Sequence, residues 1–265
     1  MKSMDFLPSP NFILVTSFFS SKRVSIFIEY KFWGKQRMLI LFCSGAILGS
    51  FYTFICEHRT LFHSRRSHCD FCHTPLKWSQ LIPIFSAIIY RKTPCCHRSI
   101  SHHYLLIELW CSLLFILLYP VLISLSISHA IVVSILVSWL LLLAIYDLVY
   151  LEVTWIMLFI SFILSVYLYS LYPQNLLFSL CLWLILESII LIRPNWLGGA
   201  DSKLFAILSL TLPVQAIPIL LATSSMTGLI WIAVRKQLGH STQTVIPFIP
   251  CIVTGYVVAL LFAYQ

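Results

Sequence analysis

Apolar residues recur along this chain in long runs broken by short polar stretches. The spacing is neither the 3.6-residue stripe of a surface helix nor the alternation of a half-buried strand. Runs cover about 38–56, 104–123, 129–147, 154–172, 175–192, 214–234 and 246–264, with a shorter one near 199–212. Apolar runs of about 18 residues or more have the length a helix needs to cross a bilayer's hydrocarbon. A helix is required there because lipid offers no partner to a backbone N–H or C=O. Pro120, Pro173, Pro194, Pro213 and Pro247 lie at or near run ends, where a missing backbone donor does least harm. The pattern predicts an all-α polytopic membrane protein of about eight transmembrane helices, with one long polar loop, 57–103, after the first.

Composition removes the soluble alternative. Apolar residues make up 60% of the chain and charged residues 10%, with a mean hydropathy of +0.93. A water-soluble domain needs about 25% charged residues to cover its surface. The net charge of +8 would suit nucleic acid in a soluble protein. No stretch here interleaves basic with aromatic residues as a nucleic-acid platform does, so nucleic acid is rejected as a partner. The bilayer is the expected surrounding.

Where the basic residues fall sets an expected orientation. If 57–103 is cytoplasmic, alternation places 148–153, 193–198 and 235–245 on the same side. Those stretches hold Arg59, Arg65, Arg66, Lys77, Arg91, Lys92, Arg98, Arg193, Arg235 and Lys236. The connections near 124–128, 173–174 and 213 hold no Lys or Arg. Positively charged loops stay in the cytoplasm, so the 57–103 side is the expected cytoplasmic side. The N-terminus disagrees, because Lys31, Lys35 and Arg37 precede the first run on the opposite side. Residues 1–37 contain no complete span, and a working start at Met38 is expected to remove the conflict.

Acids inside apolar runs are costly, about 2.5–3.5 kcal/mol at a helix centre, so each raises a functional question. Asp147 closes the third run and Asp201 opens the short sixth; Glu108 and Glu187 lie near or within others. On the expected orientation Asp147 and Asp201 come from separate helices and share the cytoplasmic depth. Two carboxyl groups at one depth can share a proton, one accepting from water while the other donates to a carbonyl. That is the equipment of an aspartic endopeptidase. Asp147 alone is also compatible with an acid at the interface, but Asp201 follows Gly198-Gly199, where a backbone can bend or a strand approach closely.

The polar loop carries seven of the nine histidines and four of the nine cysteines. Cys69 and Cys72 form C-x-x-C, followed by Cys95-Cys96-His97. This set suits tetrahedral zinc, and a cytoplasmic loop is too reducing for a structural disulfide. One zinc is expected on Cys69, Cys72, Cys96 and either Cys95 or His97, with His73 in reserve.

These residues resemble the type IV prepilin peptidases. Gly198-Gly199-Ala200-Asp201-Ser202-Lys203-Leu204 is similar to the family's G-x-G-D-x-K-L, and Asp147-Leu148 to its first catalytic aspartate. Gly49-Ser50-Phe51 resembles G-S-F-x-N-V, and Leu76-Lys77-Trp78-Ser79-Gln80-Leu81-Ile82-Pro83 the stretch between its cysteine pairs. Ile100-Ser101 with Tyr104 and Glu108 resembles I-S-x-x-Y-P-x-x-E, and Ile246-Pro247-Phe248-Ile249-Pro250 the terminal P-F-x-P. The resemblance spans 38 to the end and looks most like the competence-pseudopilin branch of Gram-positive bacteria. It implies a bacterial plasma-membrane enzyme whose Asp147 and Asp201 cut basic leaders from prepilins or pseudopilins at the cytoplasmic face. It also implies that Gly198, Gly199, Ala200 and Lys203 line the approach of the substrate backbone. Some members then methylate the new N-terminus, so S-adenosylmethionine is expected only where that activity is retained.

Three departures accompany the resemblance. Ala200 replaces the second Gly of GxGD, Thr93 stands at the third zinc cysteine, and Thr53-Phe54 replaces Asn-Val. The competing reading is a pilin-binding scaffold or degenerate homologue without catalysis. A proton-coupled transporter is a further alternative, but no internal repeat is found, and its acids would sit nearer the midplane.

Overall fold

Each apolar run becomes a helix whose ends follow the polar breaks. The structure, a computed structural model, describes residues 35–57, 69, 72, 74–75, 82–89, 92–93, 95–97, 102–169, 176–193, 196–237 and 246–264. The expectations for 1–34, for the reserve ligand His73, and for the motif stretches 76–81 and 100–101 lie outside the described residues.

The helices are α1 (Lys35–Glu57), α2 (Phe85–Ile89), α3 (His102–Leu117), α4 (Tyr119–Ser124) and α5 (Ile127–Tyr150). They continue as α6 (Trp155–Tyr169), α7 (Leu176–Ile192), α8 (Gly199–Ser209), α9 (Ile217–Gln237) and α10 (Ile249–Ala263), with a 3-10 turn, Val214–Ala216, leading into α9. Helix α1 begins three residues before Met38. Helices α3 and α4 form one span, His102–Ser124, interrupted where Pro120 removes a donor at the start of α4.

Among the described residues four helices have full crossing length: Lys35–Glu57, His102–Ser124, Ile127–Tyr150 and Val214–Gln237. Helices α6, α7 and α10 are apolar but shorter, at 15, 17 and 15 residues. With 11 residues α8 reaches about 16 Å, half of a bilayer's hydrocarbon. The expected eight spans are thus seven apolar helices and one half-length helix, and the half-length one bears Asp201. This is an integral membrane protein built only from helices among its described residues.

Helix α5 is the axis of the bundle. Leu136, Val137, Leu140, Leu141, Leu143, Ala144 and Ile145 have no exposed surface. By contrast α6 and α7 present Trp155, Phe159, Leu177 and Leu184 outward, each more than half exposed, as lipid-facing helices do. Lipid tails are as apolar as leucine, so helices associate by close van der Waals packing and small residues. Gly45 and Gly49, four apart on α1, let it lie against α3. A Cβ at Gly45 would come within 2.7 Å of the Cys111 carbonyl oxygen, and one at Gly49 within 3.1 Å of the Cys111 sulfur. Gly255 does the same for α10 on α9, where a Cβ would lie 2.9 Å from the Leu220 carbonyl oxygen.

One end of the bundle gathers the polar groups. There the Tyr150 hydroxyl at the end of α5 donates to the Cys56 carbonyl of α1, and Tyr104 of α3 donates to both Glu57 oxygens at 2.9 and 3.0 Å. Leu151 adopts φ 54° and ends α5, its N–H donating to the Asp147 carbonyl at 2.9 Å. The start of α10 closes the same end.

Candidate active site

Asp147 lies one turn from the end of α5 and is 7% exposed. Its Oδ2 accepts the Ile249 N–H at 3.1 Å, and the Phe248 N–H also hydrogen-bonds to its carboxyl group. Both donors belong to the first turn of α10. The N-terminal N–H groups of a helix have no intrahelical acceptor and carry the positive end of its dipole, so they hold a carboxylate well. The proline-bounded stretch Ile246-Pro247-Phe248-Ile249-Pro250 therefore seats one of the two acids. Phe248 also stacks obliquely on Phe205 of α8, with ring centroids 6.1 Å apart.

Asp201 is the third residue of α8, after the N-cap Gly198. Its carboxyl group reaches back to the Gly198 N–H, while its own N–H donates to the Gly198 carbonyl at 3.1 Å. This reciprocal pairing is half of a capping box, with the cap's side chain missing. The missing side chain matters, because a Cβ on Gly198 would sit 2.8 Å from Asp201 Oδ2. Gly199 has nothing within 4 Å of such a Cβ, and Ala200 is half-buried.

Asp147 and Asp201 lie within Coulombic reach of each other, and the buried Cys251 of α10 lies within reach of both. The fold thus brings together the two acids expected to pair. Lys203 is placed differently. Two residues along a helix turn by about 200°, so it faces away from Asp201. It lines a groove of about 350 Å³ whose other walls include Trp155, Phe159 and Phe162 of α6, Trp183 of α7 and Ile207 of α8.

The loop sulfurs converge. Cys69, Cys72, Cys95 and Cys96 present sulfur atoms that all lie within 4.8 Å of one another, with Cys69–Cys96 at 3.7 Å and Cys95–Cys96 at 3.9 Å. Four thiolates about 2.3 Å from a tetrahedral zinc stand about 3.8 Å apart, so the donor set fits a structural metal. Of the two residues left open, Cys95 is the one whose ligand atom belongs to this cluster. A turn closed by the His97 N–H on the Thr93 carbonyl, 2.8 Å, presents both adjacent cysteines to Cys69. His97 takes φ 54°, and its ring nitrogens are not among the clustered ligand atoms. Hydrogen bonds from the hydroxyl and backbone of Thr74, and from Cys95, hold the Cys72 thiol down at about 6, while the neighbouring thiols push Cys95 up to about 11, so without a metal the cluster favours one thiolate at Cys72.

A third polar cluster was not legible beforehand. The buried Glu108 accepts the Ile84 N–H at 2.6 Å and hydrogen-bonds Ser50. Ile84 has φ 64°, a strained value for a β-branched residue, and Glu108 pins it. Gly49-Ser50 thus joins α1 to α3 and to the loop.

Two family models match the chain. The bacterial peptidase A24 N-terminal domain covers residues 43–122, and the type IV leader peptidase family covers 134–233. A curated prepilin leader peptidase/N-methyltransferase of Bacillus subtilis (strain 168) is 31% identical over 236 residues, covering 84% of this chain and 93% of that protein. The chain belongs to the type IV leader peptidase family. It is a membrane peptidase, and both acids fall within the second matched domain. The four clustered sulfurs, α1 from Cys43 onward and Glu108 fall within the A24 N-terminal domain. No solved structure matches the chain.

Proposed function

We propose that this leader peptidase is an aspartic endopeptidase that removes the basic leader of prepilin-like precursors, with Asp147 and Asp201 as its dyad. The carrying observation is the meeting of these two acids, from α5 and α8, at one end of the bundle. Both are seated by helix N-terminal N–H groups, which hold their carboxyl groups in place. In such a dyad one proton is shared. The ionised member accepts a proton from the attacking water as the neutral member protonates the scissile carbonyl oxygen. The tetrahedral adduct collapses as the departing amine takes the proton that the first carboxylate gained from water and the adduct's hydroxyl returns its proton to the other, which restores the singly protonated pair.

The Lys and Arg residues of 57–103, 193–198 and 235–245 support placing this end at the cytoplasmic face of the plasma membrane. A basic leader held there would precede an apolar helix sharing the bilayer with the enzyme. Cleavage of a precursor peptide in reconstituted membranes, followed by mass spectrometry of both products, tests the reading. An intact precursor with correctly folded enzyme would favour the non-catalytic scaffold.

The cysteine cluster is assigned one structural zinc, which would staple a polar loop that has little core of its own. Zinc analysis of purified protein should find about one ion per chain. Cys69→Ser and Cys72→Ser should each lose it, and His97→Ala should keep it. Loss of zinc in His97→Ala with retention in Cys95→Ser would reverse the choice between those two residues. Methylation of the new terminus is proposed from the relative's name alone. The adenosyl and carboxylate groups of S-adenosylmethionine need several polar partners, and the aromatic groove with its one lysine does not supply them.

A further inference from the structure

Glu187 is an acid inside the apolar helix α7, outside the dyad and outside the sulfur cluster. It sits five residues before Ile192, the end of that helix, so it lies about 8 Å from the polar end. An acid at this depth is costly to keep unless something binds it. Two donors converge on one of its oxygens. Ser202 Oγ donates to Oε1 at 3.0 Å from α8, and Trp183 Nε1 donates to the same atom at 3.1 Å from one turn back on α7. Ser202 has no exposed surface and directly follows Asp201.

We infer that Glu187 is a positioning residue for the peptidase, fixing the first turn of α8 through Ser202 and so the placement of Asp201. The inference rests on the aspartic-dyad reading above. Ser202 has two acceptors within reach, Glu187 and the Gly199 carbonyl at 3.1 Å. A carboxylate is the stronger acceptor, and only that choice ties α8 to α7. The other choice is local to α8 and leaves its first turn without a hydrogen bond from Ser202 to α7. A second tie, Ser179 Oγ donating to the Ala206 carbonyl at 2.6 Å, holds α8 further along. Losing Glu187 therefore frees the Asp201 end of α8 while the far end stays docked. Trp183 connects the same carboxylate to the groove that Lys203 lines. One acid thus supports both the placement of Asp201 and a wall of the neighbouring groove.

The test compares Glu187→Gln, Glu187→Leu, Ser202→Ala and the Glu187→Leu/Ser202→Ala pair, in reconstituted full-length enzyme cleaving a precursor peptide. Gln keeps an acceptor oxygen and should retain near-normal kcat. Leu should lower kcat about tenfold with little change in KM, because a misplaced catalytic group slows chemistry more than binding. Ser202→Ala should match Leu, and the double variant should be no slower than either, since all three remove one interaction. Asp201→Asn runs in the same assay. Full activity in Asp201→Asn would overturn the dyad, and this inference with it. An inactive Asp201→Asn alongside normal kcat in Glu187→Leu would overturn the inference alone. So would fully additive losses, or a Gln variant as slow as Leu.

Discussion

Asp147→Asn and Asp201→Asn should each lower the rate of leader cleavage by about 10³-fold or more, while leaving expression and membrane insertion intact. Asparagine keeps the size of the side chain and can still accept the N–H groups that seat it. For position 147 those donors are the first N–H groups of α10, and Ile249 N lies 3.1 Å from Oδ2. For position 201 the partner is the Gly198 N–H. What asparagine cannot do is share or transfer the dyad proton. General acid–base transfer contributes about 10²–10⁴-fold for one group. The two acids act as a unit, so the double variant should be hardly worse than either single one. Activity of the wild type should follow a bell-shaped pH profile whose two limbs belong to the pair rather than to either residue. Wild-type rates in either asparagine variant would exclude the dyad and move catalysis to other residues.

The helices and the nearness of the two acids could be read from the chain because lipid makes apolar length nearly sufficient for a span. The run expected at 129–147 is α5 (Ile127–Tyr150), and that expected at 175–192 is α7 (Leu176–Ile192). Asp147 and Asp201 were visible as acids at run ends, and alternation of spans put them at one depth. What sits around them was hidden, since it consists of backbone. Nothing in the side chains of Phe248 and Ile249 announces that their N–H groups hold Asp147. That Cys95 joins the other three sulfurs was likewise hidden, because two adjacent cysteines carry no spacing signal that says which of them turns inward. Glu187 was visible as an acid in an apolar run. Its partner Ser202 was not, because a serine beside an aspartate carries no pairing signal of its own. The Gly45 and Gly49 pair was legible in principle from its four-residue spacing, which is the packing signal of membrane helices.

Gly198 and Gly199 should separate sharply on substitution. Their adjacency suggests a shared role in letting a strand approach, but their surroundings differ. Gly198 has φ −71° and ψ 141°, a backbone any residue adopts, so alanine there brings no conformational strain. The difficulty is contact, since its Cβ would lie 2.8 Å from Asp201 Oδ2. A carboxyl group at the end of a side chain can rotate away from such a contact at small cost in stability. The rotation, however, breaks its bond with the Gly198 N–H and moves it relative to Asp147. A displacement near 1 Å at a reacting group costs about 10²-fold in rate. Gly198→Ala should therefore show a thermal midpoint close to wild type and a kcat lowered about 10²-fold, with KM little changed. Gly199→Ala meets no atom within 4 Å, and at the first helical position alanine is the better helix former. It should be neutral or slightly stabilising, with normal cleavage. A Gly199→Ala enzyme that folds and binds peptide poorly would show instead that the precursor's backbone occupies the open space above Gly199, making that glycine part of the substrate site.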